Sequence, residues 1–258
     1  MKMEAEKVGI YLYGIIRHSG PIEFGPIGIG SRSDMVYGIN YKDICAVVSN
    51  SAVMRYEARR VNLTAHQLTL EEVMKTFCVL PIRFSTISAS YDKAKIVKIL
   101  EKEYDKFSDL LTKMDGKKEL GLKVMANEEP IFKFILEKNS DIRILKEKLA
   151  KLDPEKAHYQ LMKIGEMVEK ALIRENSNFN DIIMDLLTPL AEEVKTNDKY
   201  GERMILNAAF LIKNENEAEF DKAINALDEQ YGNLLSFKYV GTLPPYNFVN
   251  LVINTQEA

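Results

Sequence analysis

The chain has 258 residues, 46% hydrophobic and 28% charged, an ordinary balance for a globular protein with a sizeable core. That length points to two domains of roughly 110–140 residues each. A net charge of −3 with both signs interspersed, as in KILEKEYDKFSDLLTKMDGKK, leaves no basic face for nucleic acid. No apolar run approaches the ~20 residues that cross a bilayer, so a lipid membrane is not an expected partner.

Residues 1–7 (MKMEAEK) lack the apolar centre of a signal peptide, and the expected location is cytoplasmic. Cys45 and Cys78 each sit in an apolar run and read as buried free thiols, with a disulfide between them left open.

Val8–Ile16 (VGIYLYGII) is β-branched and aromatic, and its continuous apolarity predicts an interior strand. Residues 17–34 carry Gly20-Pro21, Gly25-Pro26, Gly28 and Gly30 and read as loop. Residues 35–40 and 43–49 predict two strands around a tight Tyr41-Lys42 connection. The next stretch, NLTAHQLTLEEVMKTFCVLPIRFSTI at 62–87, reads as a helix running into a strand. Asn62 is the expected cap, and Leu63, Leu70, Val73, Met74 and Phe77 form the apolar stripe. Pro81 ends the helix before Leu80. Ile82, Phe84 and Thr86 then alternate with Arg83, Ser85 and Ile87, as a strand requires.

Residues 91–114 predict one helix, closed by Asp115-Gly116. Leu120, Leu122, Val124 and Ala126 alternate as a strand that opens a second unit. Helices follow at 129–137 and 142–152. Asp153-Pro154 marks a further start, Asp as cap and Pro as first helical residue. This helix is expected to break near Asn176–Asn180 and to resume through Leu190 and Val194, with Pro189 at a kink or a new start. A strand at 204–213, a helix at 217–231 and a strand at 234–241 complete the unit. Strand, long helix, strand, helix, strand approximates a ferredoxin-like arrangement. The expected fold class is therefore α+β: an N-terminal α/β domain (1–117), a C-terminal ferredoxin-like domain with extra helices (118–241) and an extended C-terminal tail (242–258). In that tail Pro244-Pro245 favours an extended path that puts Tyr246 and Phe248 on one side.

Several stretches carry a family resemblance. HQLTLEEVMKTFCVLPIRFSTI, YLYGIIR at 11–17, DICAVVS at 43–49, LGLKVMAN at 120–127, ILNAAFLI at 205–212 and GTLPPYNFV at 241–249 together resemble the gas vesicle protein F/L family. The tail departs from the family's Gly-Pro-Trp-Pro-Pro-Tyr wording. Thr242 and Leu243 replace Pro-Trp, and the chain has no Trp. The resemblance implies an accessory protein of gas vesicle assembly with two α/β domains, not an enzyme. Its implied partners are the gas vesicle shell protein and other gas vesicle accessory proteins, and its implied location is cytoplasmic, in association with gas vesicles.

Chemistry-bearing motifs are sparse. His18, His66 and His158 lie far apart without partners at ligand spacing, so no metal and no cofactor are expected. Gly25–Gly30 lacks the G-K-[ST] ending of a phosphate loop. Asn62-Leu63-Thr64 fits the glycosylation pattern but sits at a helix start. Arg83 reads either as an outward charge or core-edge ion pair, or as a contact to a partner's carboxylate or carbonyl. Tyr246 and Phe248 read either as a tail docked on its own domain or as a partner-binding edge. The candidate partner-binding residues are His66, Arg83, Tyr246 and Phe248, and no residue is expected to be catalytic. The rival reading is a small-molecule-binding or catalytic ferredoxin-like α/β protein.

Overall fold

The computed structural model describes residues 9–30, 32–89, 91–149, 154–251 and 253. Over these residues the chain mixes seven α-helices with two antiparallel sheets. It divides into two compact units, Met1–Glu119 with Thr242–Ala258, and Leu120–Gly241. The described residues of the expected C-terminal tail fall within the first of these units.

The first unit is organised by β1 (Gly9–Arg17), eight of whose nine residues are buried. Around it lie β2 (Glu23–Gly25), β3 (Val36–Tyr41), β4 (Ile44–Ser51), β5 (Val79–Pro81) and β6 (Ile87–Ser88), in the order β2-β3-β4-β1-β5 with β6 also paired to β1. Helix α1 (Arg60–Met74) packs on β1 and β5. Helix α2 (Lys93–Lys102) covers β3 and β4, and α3 (Tyr104–Met114) covers β1, β4 and β5. Pairing of β1 with β4 slips at Tyr13: Leu12 faces Val48, while Gly14 already faces Val47. The extra residue is a β-bulge that resets the alternation of faces. Tyr11, Tyr13 and Ile16 consequently join Cys45, Val47 and the α1 residues Leu70 and Val73 in one core cluster. Gly14 is needed at this approach, because a Cβ there would lie 2.7 Å from Val79 Cγ1 and 2.9 Å from the Leu80 carbonyl oxygen.

Several expectations for this unit need correction. Helix α1 begins at Arg60, and Asn62 lies inside its first turn, donating its side-chain amide to the Glu57 carbonyl instead of capping. Its buried residues are His66, Thr69, Leu70 and Val73, whereas Leu63 is exposed. The continuous strand expected through Thr86 is broken between β5 and β6, where Ser85 takes a left-handed backbone (φ 64°). Arg83 therefore lies on the connection, not on a strand. The single helix expected over 91–114 is two, parted at Glu103. The loop at 17–34 contains the short strand β2. Cys45 and Cys78 are both free thiols, the first buried and the second partly so.

The second unit begins at Leu120 within β7 (Lys117–Ala126), runs through α4 (Glu128–Lys138), α5 (Ser140–Leu149), α6 (Pro154–Leu187), β8 (Glu193–Thr196), β9 (Met204–Lys213) and α7 (Glu217–Tyr231), and ends at Gly241 within β10 (Leu235–Leu243). The sheet order is β10-β7-β9-β8. Leu122, Val124, Phe210 and Ile212 of the sheet share a core with Ile135, Phe179, Ile183, Phe220 and Ile224 of the helices. Helix α6 passes unbroken through Asn176–Asn180. Asn176 donates to the Glu202 carbonyl and Asn178 to Glu175, so these side chains do not compete for the helix backbone. Pro189 sits in a 3-10 turn, Thr188–Leu190, that follows α6. Val194, expected on a helix, instead pairs with Phe210 in β8. The Asp153 cap lies outside the described residues.

Candidate functional site

The residues proposed to meet a partner are positioned by α1, by the β5–β6 connection and by the segment 244–251, all in the first unit. Tyr11 and Tyr13, two residues apart on β1, both face α1, where His66 occupies the opposing turn. His66 is 3% exposed. Its ring stacks on Tyr13 (5.6 Å between centroids, 21°) and meets Tyr11 and Phe84 edge-on at 5.7 and 5.8 Å. Tyr246 closes the fourth side at 6.4 Å.

Hydrogen bonds fix this box. The Ser85 N–H donates to the Tyr11 hydroxyl (3.0 Å), which lies 2.9 Å from His66 Nδ1. The hydroxyl keeps a second lone pair beside the one that Ser85 engages, so the direction of its bond with Nδ1 follows the imidazole tautomer. Burial pushes the His66 pKa down to about 4, against a smaller opposing pull from the Ile82 carbonyl. The ring is therefore neutral at ordinary pH. Tyr13 accepts from the Ile29 N–H at 2.7 Å and pairs with Ser49 Oγ at 2.9 Å, and burial raises its phenol to about 12. The cluster holds shape and has no group poised to exchange protons near neutrality.

Segment 244–251 does not run extended. The Tyr246 N–H bonds the Pro244 carbonyl, and the Phe248 and Val249 N–H groups bond that of Pro245, which closes a turn. The physical reason is the anchor at its centre. Asn247 donates its backbone N–H to Glu119 Oε2 (2.9 Å) and its side-chain amide to Oε1 (2.6 Å). Tyr246 and Phe248 consequently diverge: Tyr246 is 41% exposed, while Phe248 is 7% exposed and lies inward with Val249 and Leu251. Arg83 is exposed and donates to Asn250 Oδ1 at 2.9 Å. Of the four candidate residues, then, Arg83 and Tyr246 reach the surface, and His66 and Phe248 support it from within.

A family profile described as gas vesicle synthesis protein GvpL/GvpF matches residues 9–250. The chain belongs to the GvpL/GvpF family. It is 26% identical to gas vesicle protein F of Dolichospermum flosaquae over 248 residues, 95% of this chain and 98% of that one. The crystal structure of GvpF from Anabaena sp. PCC7120 superposes with a TM-score of 0.77 at 26% identity, covering 95% of this chain and 99% of that one. GvpF from Microcystis aeruginosa gives a TM-score of 0.73 at 26% identity, covering 94% and 99%.

In this GvpL/GvpF chain the box around His66 draws on residues that the sequence does not single out, namely Tyr11, Tyr13 and Phe84, together with the Glu119–Asn247 anchor. Their spacing in the chain carries no local signal; Glu119 sits in alternation with Leu120 and Leu122 and reads as an outward residue. Other features of the unit are chemically quiet. A cavity of about 340 Å³ is lined by Arg17, Thr76, Phe77, Cys78, Leu111, Thr112 and Asp115. Its Arg17 guanidinium is already engaged by Asp43, the Ser108 carbonyl and Thr112, and burial raises the Cys78 thiol to about 11. Among the described residues no group of three or more His, Cys, Asp or Glu could hold a metal ion, and no helix is long and apolar enough to cross a membrane.

Proposed function

We propose that this chain is an accessory protein of gas vesicle assembly that binds the small apolar shell protein and other accessory proteins as the vesicle nucleates or forms. The observation that carries this reading is the match of the GvpL/GvpF profile across residues 9–250. A wall subunit with a large apolar face aggregates if left in water, and a folded binder that covers the face keeps it available for assembly. In this reading the protein presents surface and carries out no catalysis, and it works in association with gas vesicles. We further infer that the second unit is ferredoxin-like: β10-β7-β9-β8 corresponds to the order 4-1-3-2 of a β-α-β-β-α-β unit, with additional helices between its first two strands.

The contact face we propose is the one around Arg83 and Tyr246. The planar, multi-donor guanidinium of Arg83 suits a partner's carboxylate or backbone carbonyl, and the half-exposed Tyr246 ring offers an apolar platform. His66 and Phe248 shape that face from beneath. The test is co-purification with the shell subunit, comparing wild type with Arg83→Ala and Tyr246→Ala. Reduced capture by folded variants supports the assignment, and undiminished capture by both removes this face. Deleting the gene tests the wider reading, which requires cells without gas-filled compartments.

A further inference from the structure

Exposed strand edges offer unpaired N–H and C=O groups to any other strand, and folded proteins blunt them with shortness, charge or irregularity. Three of the sheet edges here are blunted. Strand β2 has three residues, and β8 has four, of which Glu193 and Lys195 are charged. The edge formed by β5 and β6 is interrupted at Ile82–Thr86 by the left-handed Ser85. Strand β10 is different. It stands at the end of the second sheet, runs nine residues as LSFKYVGTL and carries one charge, Lys238. From Phe237 to Thr242 no residue is buried, and Val240 is 50% exposed.

We propose that β10 is a homodimerisation edge, pairing antiparallel with β10 of a second copy about a two-fold axis at Tyr239. The sequence of the strand favours itself as partner in this register. Tyr239 faces Tyr239 of the second copy, and Lys238 faces Val240. Phe237 faces Gly241, where the Leu120 side chain of β7 already fills the side-chain space and gives the ring an apolar neighbour. Ser236 and Thr242 make a hydroxyl pair, and Leu235 meets Leu243 at each end. The register also keeps the charges apart. Moving the axis one residue to Lys238 sets two ammonium groups face to face, which disfavours that alternative, and a one-residue slip in pairing exchanges the faces of every side chain. The contact is isologous and closes after two copies, so it does not propagate into a fibre. Helix α7 stays in place behind it, through the Tyr239 hydroxyl bonded to Asp221 and the Phe220 ring stacked on Tyr239.

Sedimentation velocity over a concentration series tests this on the full chain, with Val240→Glu and Val240→Lys as variants. Val240 is half exposed, so neither substitution disturbs the core. Each dimer contains the Lys238–Val240 pair twice. Val240→Glu therefore places two opposite-charge pairs across the interface and tightens the dimer about fivefold, and Val240→Lys loosens it about fivefold. Added salt narrows the gap between the variants. Misfolding cannot produce tightening, which keeps the Glu variant decisive. A wild-type chain that stays monomeric through the micromolar range overturns the proposal. So does a dimer whose dissociation constant fails to move in opposite directions, or a β10 edge that pairs only with a different polypeptide.

Discussion

The Glu119 carboxylate holds Asn247 twice, by its backbone N–H and by its side-chain amide, across 128 residues of sequence. Glu119 is 2% exposed, so both bonds are made to a charge withdrawn from water. The pair fixes the turn at 245–248, and the turn sets Tyr246 outward over His66 and Phe248 inward. Hydrogen bonds to charged groups contribute about 1.5–3 kcal/mol each. Asn247→Ala, which keeps the backbone bond, is expected to lower stability by about that amount. Asn247→Asp sets a second carboxylate against the first and should cost more. Urea denaturation of both variants checks the order, and equal, negligible effects would show that the anchor does not hold the turn.

His66 gives the first unit a defined acid response. Its pKa, about 4 in the folded chain, lies below the ~6.5 of a free imidazole, because burial disfavours the charged ring. Between these values the unfolded chain binds the proton more readily, so stability rises with pH across the interval. The contribution is complete above about pH 6.5, is lost as pH falls toward 4, and changes no further below that. The difference is about 3 kcal/mol in all. Denaturant midpoints measured from pH 7 to pH 4 should trace that decline. His66→Phe should flatten this part of the profile, at the expense of leaving the Tyr11 hydroxyl without its His66 partner.

Strong periodicity made much of the fold legible. Strand β9 and helix α7 coincide with the stretches read from alternation and from the helical stripe, residue for residue. The elements that escape are those whose limits are set elsewhere in the molecule. Four residues of β8 carry too little pattern to oppose the helical spacing of Leu190 and Val194, and only pairing with β9 makes them a strand. The strand expected through Arg83 fails because Ser85 is bound to Tyr11 and Tyr56, neither of them local. His66 is legible as a helix-face residue, but its burial depends on non-local packing against Tyr11 and Tyr13, which share one face of β1. Tyr246 and Phe248 alternate in sequence, yet the Glu119 anchor bends the chain and separates them.

Arg83 and Phe248 should therefore behave differently on substitution. Phe248 is an interior ring, and Phe248→Ala leaves a hole, with an expected loss of about 3–5 kcal/mol. Arg83 is exposed with one side-chain bond to Asn250, and Arg83→Ala should change stability by no more than about 0.5 kcal/mol. Thermal melts of the two variants check the contrast. A small effect at Phe248 would mean that the turn is not seated in the core. A large effect at Arg83 would assign it a structural duty and disqualify it as a clean probe of partner binding.

In the second unit the Lys138–Glu175 pair joins α4 to α6 and should be sensitive to removal of either end. Glu175 is 2% exposed, with Lys138 Nζ at 2.7 Å and Asn178 Nδ2 at 3.3 Å. Burial alone would raise its pKa, but the bonds from Lys138 and Asn178 together with the Lys138 and Arg174 charges outweigh it, and the carboxyl is held below its ordinary value. Its contribution to stability is present above the unfolded value, ~4.3, and is lost as pH falls through the lower folded value. Lys138→Met keeps the aliphatic stem and removes the charge, so it isolates the ammonium. The expected loss at neutral pH is about 1.5–3 kcal/mol, the range for hydrogen bonds to a charged group. Glu175→Gln in the same background should recover part of it, because the buried charge, left with the Arg174 Nε contact at 3.5 Å for an ion pair, is then gone. A double-mutant cycle by urea denaturation measures the coupling. If the two losses simply add, the pair does not join the helices energetically, whatever its distance.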